Sequence, residues 1–181
     1  MSLDQTTREH IHNLTAKFQQ TDNSRRLLIA IAGIPGSGKT TLASTLASNL
    51  NTIYHNEAHA RSPNLPKVDA DHPDPSQPDI AVAVPLDGYH LTRKQLSEMP
   101  NSEEAIFRRG AAFTFDAGGY YALVEKLRKP LEATTSTIRA PSFDHAKKDP
   151  VEHDIGIPPS ARIVSSISPA GSCISPADQS R

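Results

Sequence analysis

The chain has 181 residues, a length that suits one domain at about 100–200 residues each. Apolar residues make up only 36% and there are 15 prolines, against a usual apolar share of ~45–50%, so part of the chain is expected not to pack. A net charge of −1 gives no case for a nucleic-acid or anionic-membrane partner. The one cysteine, Cys173, excludes an intrachain disulfide and fits a reducing compartment. No apolar run approaches the ~20 residues that span a bilayer. The start, MSLDQTTREH, is polar and acidic and has no secretory core. A soluble cytoplasmic protein is the expectation.

Thr6 to Gln20 has the pattern of an amphipathic helix, with Thr6 and Glu9 as a capping box and Ile11, Leu14 and Phe18 on one face. Arg26 to Ala32 (RLLIAIA) is a short apolar run, as in a strand buried on both faces of a parallel sheet. After Gly33 to Gly38, the segment Lys39 to Leu50 repeats leucine every four residues and predicts a helix burying one stripe. Asn51 to Asp79 is rich in Pro, Asp, Asn and His without a period, and is expected to be a long mobile insertion. Ile80 to Leu86 (IAVAVPL) predicts a second buried strand, which Pro85 should end.

Asn101 to Arg109 predicts a short helix, with Asn101 and Glu104 as its capping pair and Gly110 just past its end. A further helix is expected from Ala117 to Lys129, capped by Asp116 and stopped by Pro130. Ser136 to Ala140 and the stretch from Ala161 to Ser166 predict a third and a fourth strand. Strands alternating with helices indicate an α/β domain with a parallel sheet. From Ser165 the composition turns low-complexity and reads as a disordered tail. The expected division is an N-terminal helix over 1–24, a domain over 25–164 carrying the 51–79 insertion, and a tail over 165–181.

Gly33-Ile34-Pro35-Gly36-Ser37-Gly38-Lys39-Thr40 fits GxxxxGK[ST] between a strand pattern and a helix pattern, the context this phosphate-binding loop requires. Glycines permit the φ values that turn successive N–H groups inward. The helix that begins at Lys39 adds its unpaired N–H groups and its dipole. Lys39 supplies a charge to the β and γ phosphates of ATP, and Thr40 a hydroxyl ligand for Mg²⁺; Thr41 completes the phosphate-binding set. The dinucleotide fingerprint GxGxxG is not present.

Asp87 ends the second strand, where ligands gather in parallel sheets. A carboxylate there can accept the proton of a substrate hydroxyl or hold Mg²⁺ through water. Asp-Gly is also a hairpin signal, but YHLTRKQL makes a poor returning strand, which favours the functional reading. His90 follows closely and reads either as a substrate contact or as a packing residue. Arg108 and Arg109 end a helix, and their interaction with its dipole is preferred to anion recognition. Asp144, His145, Lys147, Lys148 and Asp149 form either a solvated loop or the third strand's share of the site. His55, His59, Asp71 and His72 lack tight ligand spacing, so no structural metal is expected there.

Together GIPGSGKTTLA, PLDGYHLT, RRGAAFTFDA and PSFDHAKKDPV resemble, in order and spacing, the uridine kinase, phosphoribulokinase and pantothenate kinase group of P-loop kinases, over roughly Leu27 to Val164. The resemblance implies a three-layer P-loop fold and ATP-dependent, Mg²⁺-supported phosphorylation of a hydroxyl on a small metabolite of nucleoside, pantothenate, glycerate or sugar type. It implies Asp87 as base or Mg²⁺-linked carboxylate, with Tyr89, His90, Arg109 and Phe143 on the substrate side. Phe113 stands where uridine kinases carry an acidic residue, and Phe143-Asp144-His145 where they carry Tyr-Asp-Phe. Both departures argue against uridine, and the RRGAAFTFD and FDHAKKDPV blocks look closer to the pantothenate kinase-like and sugar kinase-like branch. A homodimer is the oligomer considered.

In that group the ARIV strand runs on into Glu-Gly and a lid with catalytic arginines, whereas here Ser165-Ser166-Ile167-Ser168-Pro169 follows. The fold is therefore expected to be incomplete at its C-terminus. The alternative to an active kinase is a nucleotide-binding fragment or pseudo-kinase without turnover. A switch or motor ATPase is disfavoured, because the blocks around Asp87 match kinases better.

Overall fold

A computed structural model describes residues 4–34, 36–61 and 78–169. Helix α1 (Gln5–Gln19) packs beside α2 (Lys39–Arg61). Between them in sequence runs β1 (Leu27–Gly33). Strand β2 (Ala81–Pro85) leads into a 3-10 turn at Leu86–Tyr89. Helices α3 (Arg93–Ser97), α4 (Ser102–Phe107) and α5 (Ala117–Arg128) follow. Strands β3 (Ile138–Asp144) and β4 (Asp149–Ile157) precede β5 (Ile163–Pro169).

β5 is the middle of a three-stranded parallel sheet, order β1-β5-β2, in which Leu27 aligns with Ile163 and Ala81 with the same Ile163. α1 and α2 cover one face, where Leu46, Leu50, Ile80 and Ile163 are buried together with Ile11. A fully buried leucine of this kind contributes about 1.5–3 kcal/mol. α5 and the β3–β4 pair cover the other face, joining Leu123, Leu127, Ala140 and Ile157 to Val84 and Val164. These are the three layers expected of a P-loop fold.

Several expectations are corrected. α1 is capped by Asp4, which accepts from the Thr7 N–H at 2.9 Å, and not by a Thr6–Glu9 box. Asn101 likewise makes no side-chain cap for α4. β1 alternates between partly buried and exposed instead of being buried on both faces. The reason is positional: Leu123 and Leu127 of α5 reach Val84 and Val164 on β2 and β5, and leave Leu28 of β1 at 36% exposure.

The supposed insertion begins as helix, because α2 continues through residues 51–61 with Ile53 extending the apolar stripe. Asn51 there accepts from the Ile80 and Ala81 N–H groups at 3.0 and 2.7 Å and donates to the Ala81 carbonyl at 3.1 Å. That side chain fixes the start of β2. Residues 62–77 of the supposed insertion lie outside the described residues.

The third strand is not part of the parallel sheet. β3 pairs antiparallel with β4, Asp144 opposite Asp149, as a separate hairpin. The supposed tail also begins later than Ser165, since residues 165–169 complete the central strand. Ser165 is only 5% exposed. A central strand draws its ladder from backbone groups on both sides, so serines serve where a composition rule expects coil. Residues 170–181 lie outside the described residues.

Candidate active site

The loop from Gly33 joins the end of β1 to the first turn of α2. Gly36 and Gly38 have φ of +77° and +78°, and a Cβ on either would meet nothing within 4 Å. Their requirement is therefore conformational, the left-handed backbone that turns N–H groups inward. Lys39 folds back over the loop and its Nζ donates to the Ile34 carbonyl at 2.8 Å. Ser37, Thr40 and Thr41 are exposed around it. Pro35 lies outside the described residues. The 23-residue α2 directs its unpaired N–H groups at the same point, which makes the loop an anion cradle.

Asp87 sits in the 3-10 turn that follows β2. Gly33 aligns with Pro169 and Pro85 with Ile167, so β1 and β2 end at the same edge of the sheet. With β5 between them, the two strands lie about 9.5 Å apart, two strand spacings. The loop and Asp87 thus face one crevice at the carboxyl ends of parallel strands, where such sheets bind ligands. The Asp87 carbonyl accepts from the His90 N–H at 3.1 Å and from its ring at 2.8 Å. Its carboxylate has no hydrogen-bond partner among the described residues.

A carbonyl only accepts, so His90 Nδ1 carries the hydrogen and a neutral ring leaves Nε2 free to accept. The His90 ring lies 4.0 Å from Phe115 and 5.2 Å from Phe143, and Phe143 lies 5.2 Å from His145. These rings form one cluster between the 3-10 turn and the hairpin. Tyr89 is different. It is 6% exposed and packs edge-on to Tyr120, with ring centroids 5.3 Å apart. Burial, then Tyr120, Asp116 and Glu152, push its hydroxyl well above the ordinary tyrosine range and keep it neutral.

Arg109 is a brace. Its guanidinium donates to the Lys148 and Leu91 carbonyls and to Asp149 Oδ1, the last two at 3.0 and 3.1 Å, and its plane lies over Phe143. The hairpin turn, the chain after the 3-10 turn at Leu91 and the aromatic cluster are tied together there. Arg108 instead pairs with Glu104 at 2.9 Å. The charged stretch before β4 is a turn: Asp144 Oδ1 accepts from the Ala146 and Lys147 N–H groups at 2.9 and 3.0 Å. His55 is buried in α2, its Nε2 3.3 Å from the Pro78 carbonyl, and no group of three metal-ligating side chains occurs among the described residues. Asp71 and His72 lie outside those residues.

Asn51 and Thr114 escaped sequence reasoning, and Asp149 was legible only as part of a charged stretch, not as the partner of Arg109. Thr114, fully buried, accepts from the Gly110 N–H at 2.9 Å and holds the chain before the Phe115 ring. Each works through a partner distant in sequence or through a local backbone bond that no composition pattern announces. The Thr92–Gln95 capping box of α3 was legible in LTRKQ and was passed over.

A glycine cradle at a helix start, with a carboxylate beyond the next strand but one at the same sheet edge, fits a P-loop kinase fold. Relatives agree. No protein-family model matches the chain. The ATP-dependent kinase-like protein notR′ of Aspergillus versicolor is 56% identical over 79 residues, 44% of this chain and 46% of that protein. The Schizosaccharomyces pombe protein C227.14, provisionally named a uridine kinase, is 37% identical over 142 residues, 78% of this chain and 50% of that protein. The chain spans about half the length of these two relatives. The crystal structure of YFH7 from Saccharomyces cerevisiae superposes with a TM-score of 0.68 at 24% identity, over 92% of this chain and 74% of that one. The chain is thus a homologue of proteins named as ATP-dependent and uridine kinase-like kinases, with the P-loop kinase fold. No helix among the described residues is long and apolar enough to cross a membrane.

Proposed function

We propose that this chain transfers the γ-phosphate of ATP to a hydroxyl of a small metabolite. The observation that carries the reading is the crevice itself: Gly33 to Thr40 on one strand end, and across β5 on another the Asp87 carboxylate, which has no hydrogen-bond partner among the described residues. The loop amides and the α2 N-terminus hold the phosphates. Lys39 exchanges its Ile34 carbonyl for phosphate oxygens and follows the charge that develops on them. The exposed Thr40 hydroxyl and the Asp87 carboxylate are hard oxygen ligands that fit Mg²⁺, which when bound neutralises phosphate charge. Asp87 takes the proton of the attacking hydroxyl, so a P–O bond forms to the acceptor as the bond to ADP breaks. The His90 and Phe143 rings line the acceptor's approach.

The test is ATP turnover in the presence of uridine, pantothenate, glycerate or fructose, in the native chain and in Lys39→Ala. Stimulation by one acceptor, lost by about 10²–10³-fold in the variant, is the expected result. ATP binding by calorimetry without turnover on any acceptor would leave a nucleotide-binding module in place of an enzyme.

A further inference from the structure

A cavity of about 190 Å³ opens beside the 3-10 turn, between α5 and the hairpin. Its charged walls are Asp116, Lys126, Arg139 and Glu152, and Tyr89, His90, Thr92, Gln95 and His153 are its other polar groups. It shares His90 with the aromatic cluster, but Phe143 does not line it. It is also smaller than the ~300–1,000 Å³ typical of sites for drug-sized ligands.

The chemistry of the walls is balanced. Asp116 and Glu152 only accept hydrogen bonds, while Lys126 and Arg139 only donate them. Formal charges cancel, and Lys126, Arg139 and Glu152 form no ion pair with one another or with any other described residue. Asp116 spends one oxygen on the Gly119 N–H at 2.9 Å, as the cap of α5. With two cations and two carboxylates in its lining, the cavity offers an anionic acceptor no net attraction.

The backbone is shaped for the same purpose. Ala140 pairs with Ile155 and Ser142 with Val151, so β4 spends four residues where β3 spends two. The extra residues include Glu152 and His153, both on the cavity wall, and His153 holds a φ of 57°. Bulges of this kind re-aim side chains next to active sites, and a non-glycine residue in left-handed backbone marks local strain.

A hydroxyl both donates and accepts, and is the group matched by donor-only and acceptor-only side chains set together. We infer that this cavity binds a neutral polyhydroxylated molecule, a sugar or sugar alcohol, whose hydroxyls bridge the carboxylates of Asp116 and Glu152 to Arg139 and Lys126. Its role as phosphate acceptor rests on the kinase reading; its binding does not. Tyr89, Leu123 and Pro141 supply the apolar wall for the C–H face of the ligand.

The experiment is saturation-transfer NMR on the full chain without nucleotide, with D-fructose, D-mannitol, uridine and pantothenate as probes. D-fructose or D-mannitol should bind, and Arg139→Met and Glu152→Gln should each weaken that binding by about tenfold. Both residues are exposed, so melting temperature should hold. Lys39→Ala should leave polyol binding intact. Binding of uridine or pantothenate in place of polyols, no binding of any probe, or polyol binding indifferent to both variants would overturn the inference. Polyol binding without phosphorylation would uphold it and sink the kinase reading alone. Phosphorylation of uridine with no polyol binding would do the reverse.

Discussion

In the proposed site, eight consecutive residues from Gly33 to Thr40 make the phosphate side, mainly through backbone. Across β5 the proposed acceptor side gathers Asp87 and His90 from one turn, Phe115 from the approach to α5, Phe143 and His145 from the hairpin, and Arg109 from beyond α4. A backbone site stands as long as its own loop and helix stand. A side-chain site stands only while several elements stay docked, so it is the easier of the two to disturb from a distance. Substitutions can separate the two sides by which ligand they affect.

The largest separation is expected at Asp87. Asp87→Asn should lower kcat by about 10²–10⁴-fold, the usual range for a general base, while nucleotide affinity holds. Steady-state kinetics with calorimetry reads both, and a large loss of ATP affinity would place Asp87 in the phosphate cradle instead.

Next comes Gly88. A Cβ there would overlap the Pro141 carbonyl oxygen, a backbone atom of β3 that cannot swing aside. Gly88→Ala should push the hairpin away, cost about 1–3 kcal/mol in denaturant unfolding, and raise acceptor KM with ATP affinity unchanged. An equal loss of affinity for both ligands would show that the two sides are mechanically one.

Asp116→Ala removes the α5 cap and should cost about 1 kcal/mol. Because α5 covers the sheet face behind the acceptor side, acceptor KM should rise modestly, and a thermal melt gives the stability term.

The smallest effect is on pH. The Lys147 N–H, followed by that of Ala146, holds the exposed Asp144 carboxyl below its ordinary value of 3.8. A depressed folded-state pKa means this stabilisation is complete above 3.8 and is lost as pH falls through the lower folded value. The protection of the Ala146 and Lys147 amides, relative to their intrinsic exchange at each pH, should therefore fall only below about pH 4, while that of the loop amides at Gly36 and Gly38 holds. Protection lost at both places together would argue against independent sides.

Much of the frame was legible in the residues. The α5 limits, the Asp116 cap and the β2 stop at Pro85 follow from local rules and appear as expected. The hairpin did not: DPVEHDIGI has an acidic, bulged middle that hides its alternation, and its partner β3 was placed in the wrong sheet. Ser165 to Pro169 were misplaced for the opposite reason, since their strand is held by β1 and β2, both far earlier in the chain. On the acceptor side, His90 and Phe143 were legible as candidates through resemblance, whereas Arg109 as a brace and Glu152 as a cavity wall were not.

By itself the sequence determined the phosphate loop, because glycine φ values, the helix start and the lysine are properties of eight adjacent residues. It also placed Asp87 at the carboxyl end of a strand pattern, although β2 itself stops at Pro85 and Asp87 sits in the turn beyond it. Tertiary structure alone decided that β5 would lie between β1 and β2 and so set the cradle and the carboxylate two strand spacings apart. It alone folded the hairpin over the turn at Gly88 and brought Glu152 and Arg139 to Tyr89. Those relations join residues far apart in the chain, and strand order and docking are settled by burial and backbone pairing that no local pattern encodes.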